Sequence, residues 1–389
     1  MSRRSKITAA NSRLKIGLVL DSSLDLEDGV QQYVMAVGEW LRREGHDVHY
    51  LVGQTESRQL PNIHSLSKNM VASFNGNKIN FPLWAKSKVV RKLLENEKFD
   101  VLHVQTPHHP LMAQQIIRLA PKTTAIVASF HILPNSRLVT LTNTFLGWLL
   151  KPSLKRIDTM LAVSPGAAQF EAKTFGLPAR VSPNVFDYSF FHDAKPFDSP
   201  KNTQTILFFG RLVPRKGCVT LLQAVQRLAE MQNVPAFRVI ICGKGELEHE
   251  LKSFVAQHKL QDQVEFTGFV SNEDKPRYYA TADISVFPSY GGESFGIVLL
   301  EAMASGQSAV LAGDNPGYAS VMEPQPDLIF SAKDDALLAD KILSLLHDQA
   351  RRQEFAAWGE RYSSRFDVGV VGKELVQIYR DVIAAKNMQ

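Results

Sequence analysis

Apolar and polar positions alternate along most of the chain in a pattern that predicts β-strands and α-helices in turn. The first apolar strand covers residues 16–20, and an amphipathic helix follows from about Val30 to Arg43. Further strands of the first half are expected at residues 48–52, 101–104, 125–129 and 160–163. Such βαβ alternation is typical of a parallel sheet covered by helices on both faces.

A second alternating series begins at residue 205, after a stretch rich in Pro and Asp that predicts a linker at residues 182–200. Its strands are expected at residues 205–209, 238–242, 264–266, 284–287, 309–311 and 328–330. Two doubly wound α/β domains would bind ligands in a central cleft at the carboxyl ends of their strands. The expected segments are a disordered tail (1–13), a first domain (14–200), a second domain (201–367) and a last helix (368–389).

Length and composition narrow the functional classes. The 389 residues fit two domains of about 150–200 residues, and 44% hydrophobic with 21% charged residues is ordinary for a globular protein. The two cysteines lack C-x-x-C spacing, which favours a reducing, cytoplasmic compartment over a disulfide framework. The basic start is not followed by an apolar segment, so it does not predict a secretory signal. A net charge of +5 favours an anionic partner: nucleic acid, anionic lipid or a phosphorylated substrate.

The most informative stretch runs from Pro288 to Gly306. An apolar strand at residues 283–287 enters a turn at Gly291-Gly292, after which apolar residues take helical spacing. A helix N-terminus approached over glycines is an anion site suited to a diphosphate. Glu293 and Glu301 lie on the same side of this unit, where carboxylates suit the hydroxyls of a sugar and a ribose.

Other polar residues follow the predicted strands. Arg211 and Lys216 stand on the loop after the strand at 205–209, where Arg binds a diphosphate bidentately and Lys as a point charge. Gly243 lies in a turn that a simple strand end explains equally well.

His131 follows the strand at 125–129, and a histidine there is either structural or functional. A metal site is not expected from the histidines, because they lack an i, i+4 pair and no Asp-x-Asp accompanies them: His103, His108, His109 and His131.

The string Gly-Gly-Glu-Ser-Phe-Gly-Ile-Val-Leu-Leu-Glu-Ala-Met-Ala-Ser-Gly resembles the E-x7-E signature of the retaining glycosyltransferases of family four. The resemblance implies the GT-B fold, with two Rossmann-like domains facing a central cleft and a last helix that crosses back to the first domain. It also implies hexose transfer from a nucleotide sugar without a metal or other cofactor. The catalytic residues that it implies are His131, Glu293, Arg211 and Lys216. The donor-binding residues that it implies are Gly29, Arg211, Lys216, Gly243, Val270, Glu293, Ser294, Phe295, Gly296, Ile297 and Glu301.

Three positions near these motifs need separate comment. Relatives usually have Gly-Gly where this chain has Asp28-Gly29, so a carboxylate stands next to the expected phosphate path. Arg215 stands where many family members have an acidic residue, which leaves its role open. Gln31 matches a position that faces the acceptor in similar enzymes, and the resemblance therefore implies that it binds the acceptor.

Residues 81–94 predict a basic amphipathic helix that begins near an aromatic side chain. Such helices often lie on anionic membranes, although a packed helix with a solvated basic face is the alternative. The predicted membrane-contacting residues are Trp84, Lys86, Lys88, Arg91 and Lys92. This helix with its flanks at residues 73–77 and 99–104 resembles the phosphatidyl-myo-inositol mannosyltransferases. That subgroup implies GDP-mannose, a lipid-anchored acceptor such as phosphatidylinositol, and work at the inner face of the cytoplasmic membrane.

Three other functions remain to be weighed. A UDP-sugar-dependent glucosyl- or galactosyltransferase that makes a glycolipid or cell-envelope glycan fits the same motifs. A nicotinamide-dependent dehydrogenase is disfavoured because no G-x-G-x-x-G follows the strand at residues 16–20. A nucleic-acid partner is not expected, because basic residues outside 81–92 are not interleaved with aromatic ones.

Overall fold

The computed structural model describes residues 13–25, 28–56, 60–74, 77–131 and 137–388. Contacts divide the chain into two compact units, one of Met1–Val185 with Val368–Gln389 and one of Phe186–Asp367. The tail expected at residues 1–13 lies outside the described residues except for Arg13.

The first unit is built on a seven-stranded parallel sheet in the order β3-β2-β1-β6-β7-β8-β9. Its strands are β1 (Lys15–Leu20), β2 (Asp47–Gly53), β3 (Ile63–Ser67), β6 (Val101–Gln105), β7 (Ala125–Phe130), β8 (Thr159–Ala162) and β9 (Ala179–Val181). A separate antiparallel pair consists of β4 (Asn69–Phe74) and β5 (Asn77–Pro82). The helices are α1 (Gly29–Arg43), α2 (Ser87–Glu97), α3 (Met112–Leu119), α4 (Arg137–Leu154), α5 (Pro165–Phe175) and, from the chain's end, α14 (Val368–Lys386).

The second unit is built on a six-stranded parallel sheet in the order β12-β11-β10-β13-β14-β15. Its strands are β10 (Gln204–Phe209), β11 (Phe237–Cys242), β12 (Val264–Gly268), β13 (Ile284–Phe287), β14 (Ala309–Gly313) and β15 (Ile329–Phe330). Its helices are α6 (Tyr188–His192), α7 (Cys218–Glu230), α8 (Glu248–Gln257), α9 (Lys275–Thr281), α10 (Ile297–Ala304), α11 (Pro316–Met322), α12 (Asp335–His347) and α13 (Gln349–Ser363).

Strand periodicity divides the apolar core of the first unit between two faces of its sheet. Ile16 and Leu18 of β1 pack in one cluster with residues of α1 and α14. Val19, which lies between Leu18 and Leu20, packs in the other cluster with residues of α2 and α3. Successive side chains of a strand point to opposite faces, so one apolar strand supports helices on both sides. The predicted fold class of two doubly wound α/β units is confirmed.

The division between the units lies after Val185, not after residue 200 as the sequence pattern predicted. The reason is a set of aromatic residues inside the expected linker. Phe191 is buried and packs against Tyr279 of α9, with ring centroids 6.0 Å apart. The backbone N–H of Phe197 donates to Thr281 Oγ1 at 2.8 Å. Residues 186–200 therefore belong to the second unit, because their aromatic residues pack there.

Candidate active site

Three loops are joined at the carboxyl edge of the second sheet. They follow β10, β11 and β12, which are neighbours in the sheet. Gly210 N donates to Cys242 O at 3.0 Å, and Gly243 N donates to Gly268 O at 2.8 Å. Carboxyl ends of parallel strands are where open α/β sheets bind their ligands. These loops carry the expected donor-binding residues Arg211, Lys216, Gly243 and Val270.

The turn between β13 and α10 carries Glu293 and depends on two glycines. Gly296 has φ of +101°, and a Cβ there would lie 2.5 Å from the ring of Tyr318. A Cβ on Gly317 would lie 2.2 Å from the backbone oxygen of Glu293. Only glycine allows this backbone conformation and this close approach without displacement.

The segment from Ser294 to Ile297 leads into α10. Phe295 is buried and packs edge-on against Phe366, with ring centroids 5.7 Å apart, whereas Ser294 and Ile297 are half-buried. Because the first N–H groups of a helix have no partner within the helix, this end of α10 is suited to an anionic group.

Glu293 accepts hydrogen bonds from two cationic side chains. Its Oε1 lies 2.6 Å from Arg215 Nη1 and 2.8 Å from Lys216 Nζ, and Ser289 Oγ donates to it at 3.1 Å. The side chains of Glu293 and Lys216 are 13% and 14% exposed. This cluster of Ser289, Glu293, Arg215 and Lys216 is hereafter the Glu293 cluster.

The charges of the Glu293 cluster do not balance. Burial alone would raise the pKa of Glu293, but Lys216 and Arg215 outweigh burial and hold that pKa below its ordinary value. Burial lowers the pKa of Lys216, and Arg215 and Arg211 add to this against the opposing effect of Glu293. One carboxylate thus faces several cations, which makes the cluster an environment for an anionic ligand.

Sequence reasoning left the role of Arg215 open and missed Ser289 and Asn315. The structure places Arg215 against Glu293, and the only sequence signal for this was its position beside Lys216. Asn315 Nδ2 donates to Ser289 O at 2.7 Å, and its Oδ1 accepts from Tyr318 N at 3.0 Å. These two residues hold the turn that presents Glu293, and short polar residues in loops carry no motif that would reveal this.

Glu301 lies about one turn into α10 and is buried. Its Oε1 accepts from Lys275 Nζ at 2.6 Å, and its Oε2 accepts from Tyr279 OH at 3.2 Å. The side chain of Lys275 is only 10% exposed, so Glu301 neutralises a buried cation of α9. Glu301 is therefore part of the packing of the second unit, a role that the sequence did not indicate.

In the first unit, His131 follows β7 directly. Its Nε2 lies 2.7 Å from Gln105 Oε1, and its ring meets Tyr33 of α1 edge-on with centroids 5.1 Å apart. Burial lowers the pKa of His131 to about 4, and the nearby Asn184 side chain opposes this only in part. His131 is therefore neutral at pH 7 and acts as a hydrogen-bonding group, not as a cation.

The start of α1 brings Asp28, Gly29 and Gln31 together. The Asp28 carboxylate caps the helix, accepting from Val30 N at 2.9 Å and from Gln31 N at 3.2 Å. Gly29 is the first residue of the helix, and the buried Gln31 amide lies 2.9 Å from Ser22 Oγ. The carboxylate that stands beside the expected phosphate path is thus used for capping.

The four histidines that we weighed as metal ligands form no metal centre among the residues that the structure describes. No group of three or more His, Cys, Asp or Glu side chains within those ranges could hold a metal ion. His103 instead shares its ring nitrogens with Ser129 Oγ at 2.8 Å and Tyr379 OH at 2.7 Å. Independence from metal stays a prediction.

The predicted basic helix is α2, but it begins at Ser87 and not at residue 81, because β5 extends to Pro82. Its cations are all exposed, as is Trp84 before it. The apolar side of α2 is largely turned inward, because Val90 and Leu94 are buried in the core and Val89 is exposed. In the described parts of the chain, no helix is both long and apolar enough to span a membrane.

Two family models match the chain. Glycosyltransferase Family 4 matches residues 28–190, and Glycosyl transferases group 1 matches residues 190–361. The phosphatidyl-myo-inositol mannosyltransferase of Mycolicibacterium smegmatis is 32% identical over 377 residues, which cover 96% of this chain and 95% of that protein. The chain therefore belongs to the glycosyltransferases that these two models describe, as the signature in its sequence predicted.

Solved structures of glycosyltransferases have the same fold. A glycosyltransferase from Rickettsia africae has a TM-score of 0.76 at 17% identity, over 96% of this chain and 99% of that one. Anabaena Alr3699/HepE in complex with UDP and glucose has a TM-score of 0.68 at 18% identity, over 94% and 99%. At such identities the likeness concerns the fold, which is GT-B with two Rossmann-like units.

The pairing of Glu301 with Lys275 predicts that Glu301→Gln destabilises the second unit. Removing one partner of a buried ion pair leaves an uncompensated charge and costs about 3–5 kcal/mol. Urea unfolding measures this cost, and Glu248→Gln is the matched control because Glu248 pairs with the half-exposed Lys252 of its own helix. The control should leave stability nearly unchanged, because solvent-exposed ion pairs contribute little. Wild-type stability of Glu301→Gln would contradict the buried pairing.

Proposed function

We propose that this glycosyltransferase moves mannose from GDP-mannose to a lipid-anchored acceptor such as phosphatidylinositol, at the inner face of the cytoplasmic membrane. The proposed reaction retains the anomeric configuration and needs no metal. The observation that carries the proposal is the 32% identity, over 96% of the chain, with an enzyme named as a phosphatidyl-myo-inositol mannosyltransferase. The surplus of positive charge at the Glu293 cluster supports a diphosphate donor.

In the proposed donor site, Arg211 and Lys216 bind the diphosphate, and Glu293 accepts a hydroxyl of the sugar. As the bond between the anomeric carbon and the phosphate oxygen breaks, negative charge develops on the leaving group. Cations fixed in a partly buried site stabilise this charge more than water would. Arg215 contacts the same Oε1 of Glu293, so Lys216 is not the only cation that must stay with this carboxylate.

The same proposal assigns the remaining sequence-predicted residues. Gly29 approaches the donor phosphate, and Gln31 faces the acceptor. The neutral His131 donates or accepts a hydrogen bond beside the donor sugar. We assign nucleotide contacts to Gly243, Val270 and the helix start from Ser294 to Ile297. The resemblance adds Glu301, whose buried carboxylate would have to bind the nucleotide while it stays paired with Lys275.

Retention follows if the acceptor approaches on the face that the phosphate leaves. The acceptor hydroxyl oxygen then bonds to the anomeric carbon, and its proton passes to the departing phosphate oxygen. The products are the glycosylated acceptor and the nucleoside diphosphate. We assign no side chain the role of covalent nucleophile.

The exposed cations of α2 support the lipid acceptor. Lys86, Lys88, Arg91 and Lys92 are solvated and lie within seven residues. Each cation near an anionic bilayer adds about 1 kcal/mol of attraction. A second candidate function is glucosyl or galactosyl transfer from a UDP-sugar, which the fold shared with a protein solved in complex with UDP and glucose favours.

The donor assignment predicts that GDP-mannose is the preferred substrate. Purified protein with phosphatidylinositol vesicles should release GDP from GDP-mannose, and the release should persist in excess EDTA because no divalent ion is required. UDP-glucose and UDP-galactose, assayed for UDP release, are the comparison donors. Faster turnover of a UDP-sugar would favour the second candidate, and loss of activity in EDTA with rescue by magnesium or manganese would refute metal independence.

The cationic donor site predicts that Lys216→Ala and Arg211→Ala each lower kcat/KM by about 10²-fold or more. Charge-assisted hydrogen bonds are worth about 1.5–3 kcal/mol, and these contacts strengthen as the leaving group gains charge. Steady-state kinetics measure the loss, with Lys252→Ala of the exposed α8 pair as the control. Wild-type kcat/KM in either variant would remove that residue from the donor site.

The membrane assignment predicts that changing Lys86, Lys88, Arg91 and Lys92 together to Ser abolishes most binding to phosphatidylglycerol vesicles. The fold should survive because all four side chains are exposed. Sedimentation with vesicles measures binding, and salt should weaken it as the Debye length falls from about 10 Å toward 3 Å. A matched control changes three Lys and one Arg exposed on the second unit: Lys201, Lys259, Lys333 and Arg361. Unchanged binding of the α2 variant would favour a soluble acceptor.

A further inference from the structure

Helix α4 is apolar on two sides, but its described part packs on only one. Leu150 and Leu154 are buried. On the other side, Phe145, Trp148 and Leu149 are 63%, 72% and 52% exposed. With the exposed Pro152 they have the i, i+3, i+4, i+7 spacing of one helix face. We call these four residues the α4 stripe, and an exposed stripe of large apolar side chains marks an interaction surface.

The α4 stripe is held in place by neighbouring helices. Arg156, after α4, donates to the backbone oxygens of Ile117 and Ala120 at the end of α3, at 2.7 and 2.6 Å. Gly147 lies so close to α5 that a Cβ there would be 2.8 Å from the ring of Phe175. The stripe is therefore exposed on a helix that is packed against α3 and α5.

Helices α2, α3 and α4 lie in one layer on the same face of the first sheet. Val90 of α2 and Ile116 of α3 share one core cluster. Gln115 of α3 donates to Ala85 O and Ser87 Oγ at the start of α2, both at 2.8 Å. The crossovers that carry α3 and α4 link β6 to β7 and β7 to β8 in the same direction, so right-handed connections put them on one face. The exposed cations of α2 and the α4 stripe thus belong to one surface layer.

We propose that the α4 stripe is a second bilayer contact, which inserts Phe145, Trp148 and Leu149 at the boundary between headgroups and acyl chains of an anionic membrane. Tryptophan favours that boundary because its ring is apolar and its N–H is polar. Lys151 and Lys155 are exposed at the end of the stripe and match anionic headgroups. The inference rests on the proposed membrane-bound acceptor.

The two contacts differ in their physics. The apolar residues Val90 and Leu94 of α2 are used by the core, so α2 attracts the bilayer mainly by charge. Charge attraction is screened when the Debye length falls to about 3 Å near 1 M salt. Apolar insertion by the α4 stripe is not screened, so together with the exposed Trp84 it contributes the binding that survives at high salt.

The first experiment measures partition of the full-length protein onto vesicles of phosphatidylglycerol and phosphatidylcholine at low salt and near 1 M salt. Changing Phe145, Trp148 and Leu149 together to Ser should lower the partition coefficient at least about tenfold at high salt, where apolar contact dominates. At low salt the fall should be smaller, since α2 still attracts the bilayer. The matched control changes three exposed apolar residues of the second unit to Ser: Phe190, Met231 and Leu337.

The second experiment uses a conservative change that keeps the apolar character of the stripe. Brominated lipids quench tryptophan that enters the acyl region, and Trp148→Phe should remove a large part of the quenchable fluorescence while leaving binding intact. Trp358→Phe is the control, because Trp358 is half-buried against Tyr362 in the second unit and should not contribute.

The outcomes separate this inference from the proposed function. Wild-type protein that binds no vesicles at either salt would overturn both the membrane acceptor and the stripe. Vesicle binding that the triple Ser change leaves unaltered at 1 M salt, with quenching unchanged by Trp148→Phe, would overturn the stripe alone. A lipid-free dimer that the triple change converts to monomer would assign the stripe to a second copy of the chain, and would also overturn it.

Discussion

The turn before α10 is built around one carboxylate that stays ionised although it is mostly out of water. Glu293 does so because Arg215 and Lys216 both contact its Oε1. Burying charges is costly, and an apolar replacement of a buried ion pair is often at least as stable. Stability therefore does not explain why a second cation faces a single carboxylate. An anionic ligand does, because it supplies the charge that the cluster lacks.

The backbone around Glu293 is held as tightly as its carboxylate. The turn approaches α11 so closely that Gly317 leaves no room for a Cβ, and Asn315 ties α11 to Ser289. Ser289 in turn donates to Glu293. The side chains of Arg215, Lys216 and Ser289 fix the carboxylate, and the tight turn fixes its backbone. Such a group loses little further freedom when substrate binds, which is the advantage of a preorganised site.

The buried histidines of the first unit, His103 and His131, form the opposite kind of site, because they carry no charge. Burial lowers the pKa of His103 to about 3, with a smaller contribution from His131, and that of His131 itself to about 4. Both ring nitrogens of His103 have neutral partners, one of which is Tyr379 of the last helix. Helix α14 thus completes a neutral hydrogen-bonding network beside β6 and β7. Neutral groups suit sugar hydroxyls, whereas the second unit offers charge.

Much of the fold could be predicted from the sequence, because buried parallel strands and amphipathic helices leave strong periodic patterns. Strand β3 was missed, since its side chains are mostly half-exposed and its apolar alternation is weak. The division after Val185 was missed because Phe191 and Phe197 bind their stretch to the second unit through contacts distant in sequence. Motifs indicated Lys216 and Glu293. The partners of Glu301 were not predictable, because Lys275 belongs to another helix and no spacing rule connects the two.

Sequence patterns were limited in the same way at the proposed membrane surface. They predicted that α2 is an amphipathic helix, but not whether its apolar side faces the core or a membrane. A helix with Val90 and Leu94 on one side and cations on the other suits either a membrane or a protein core. The core takes those residues, which leaves α2 with charge and little apolar area. Attraction by charge alone is lost at high salt and reversible at low salt. If the enzyme works on a membrane as proposed, a second contact of another physical kind would lengthen its residence there, and the apolar α4 stripe in the same layer is the surface that we propose for it.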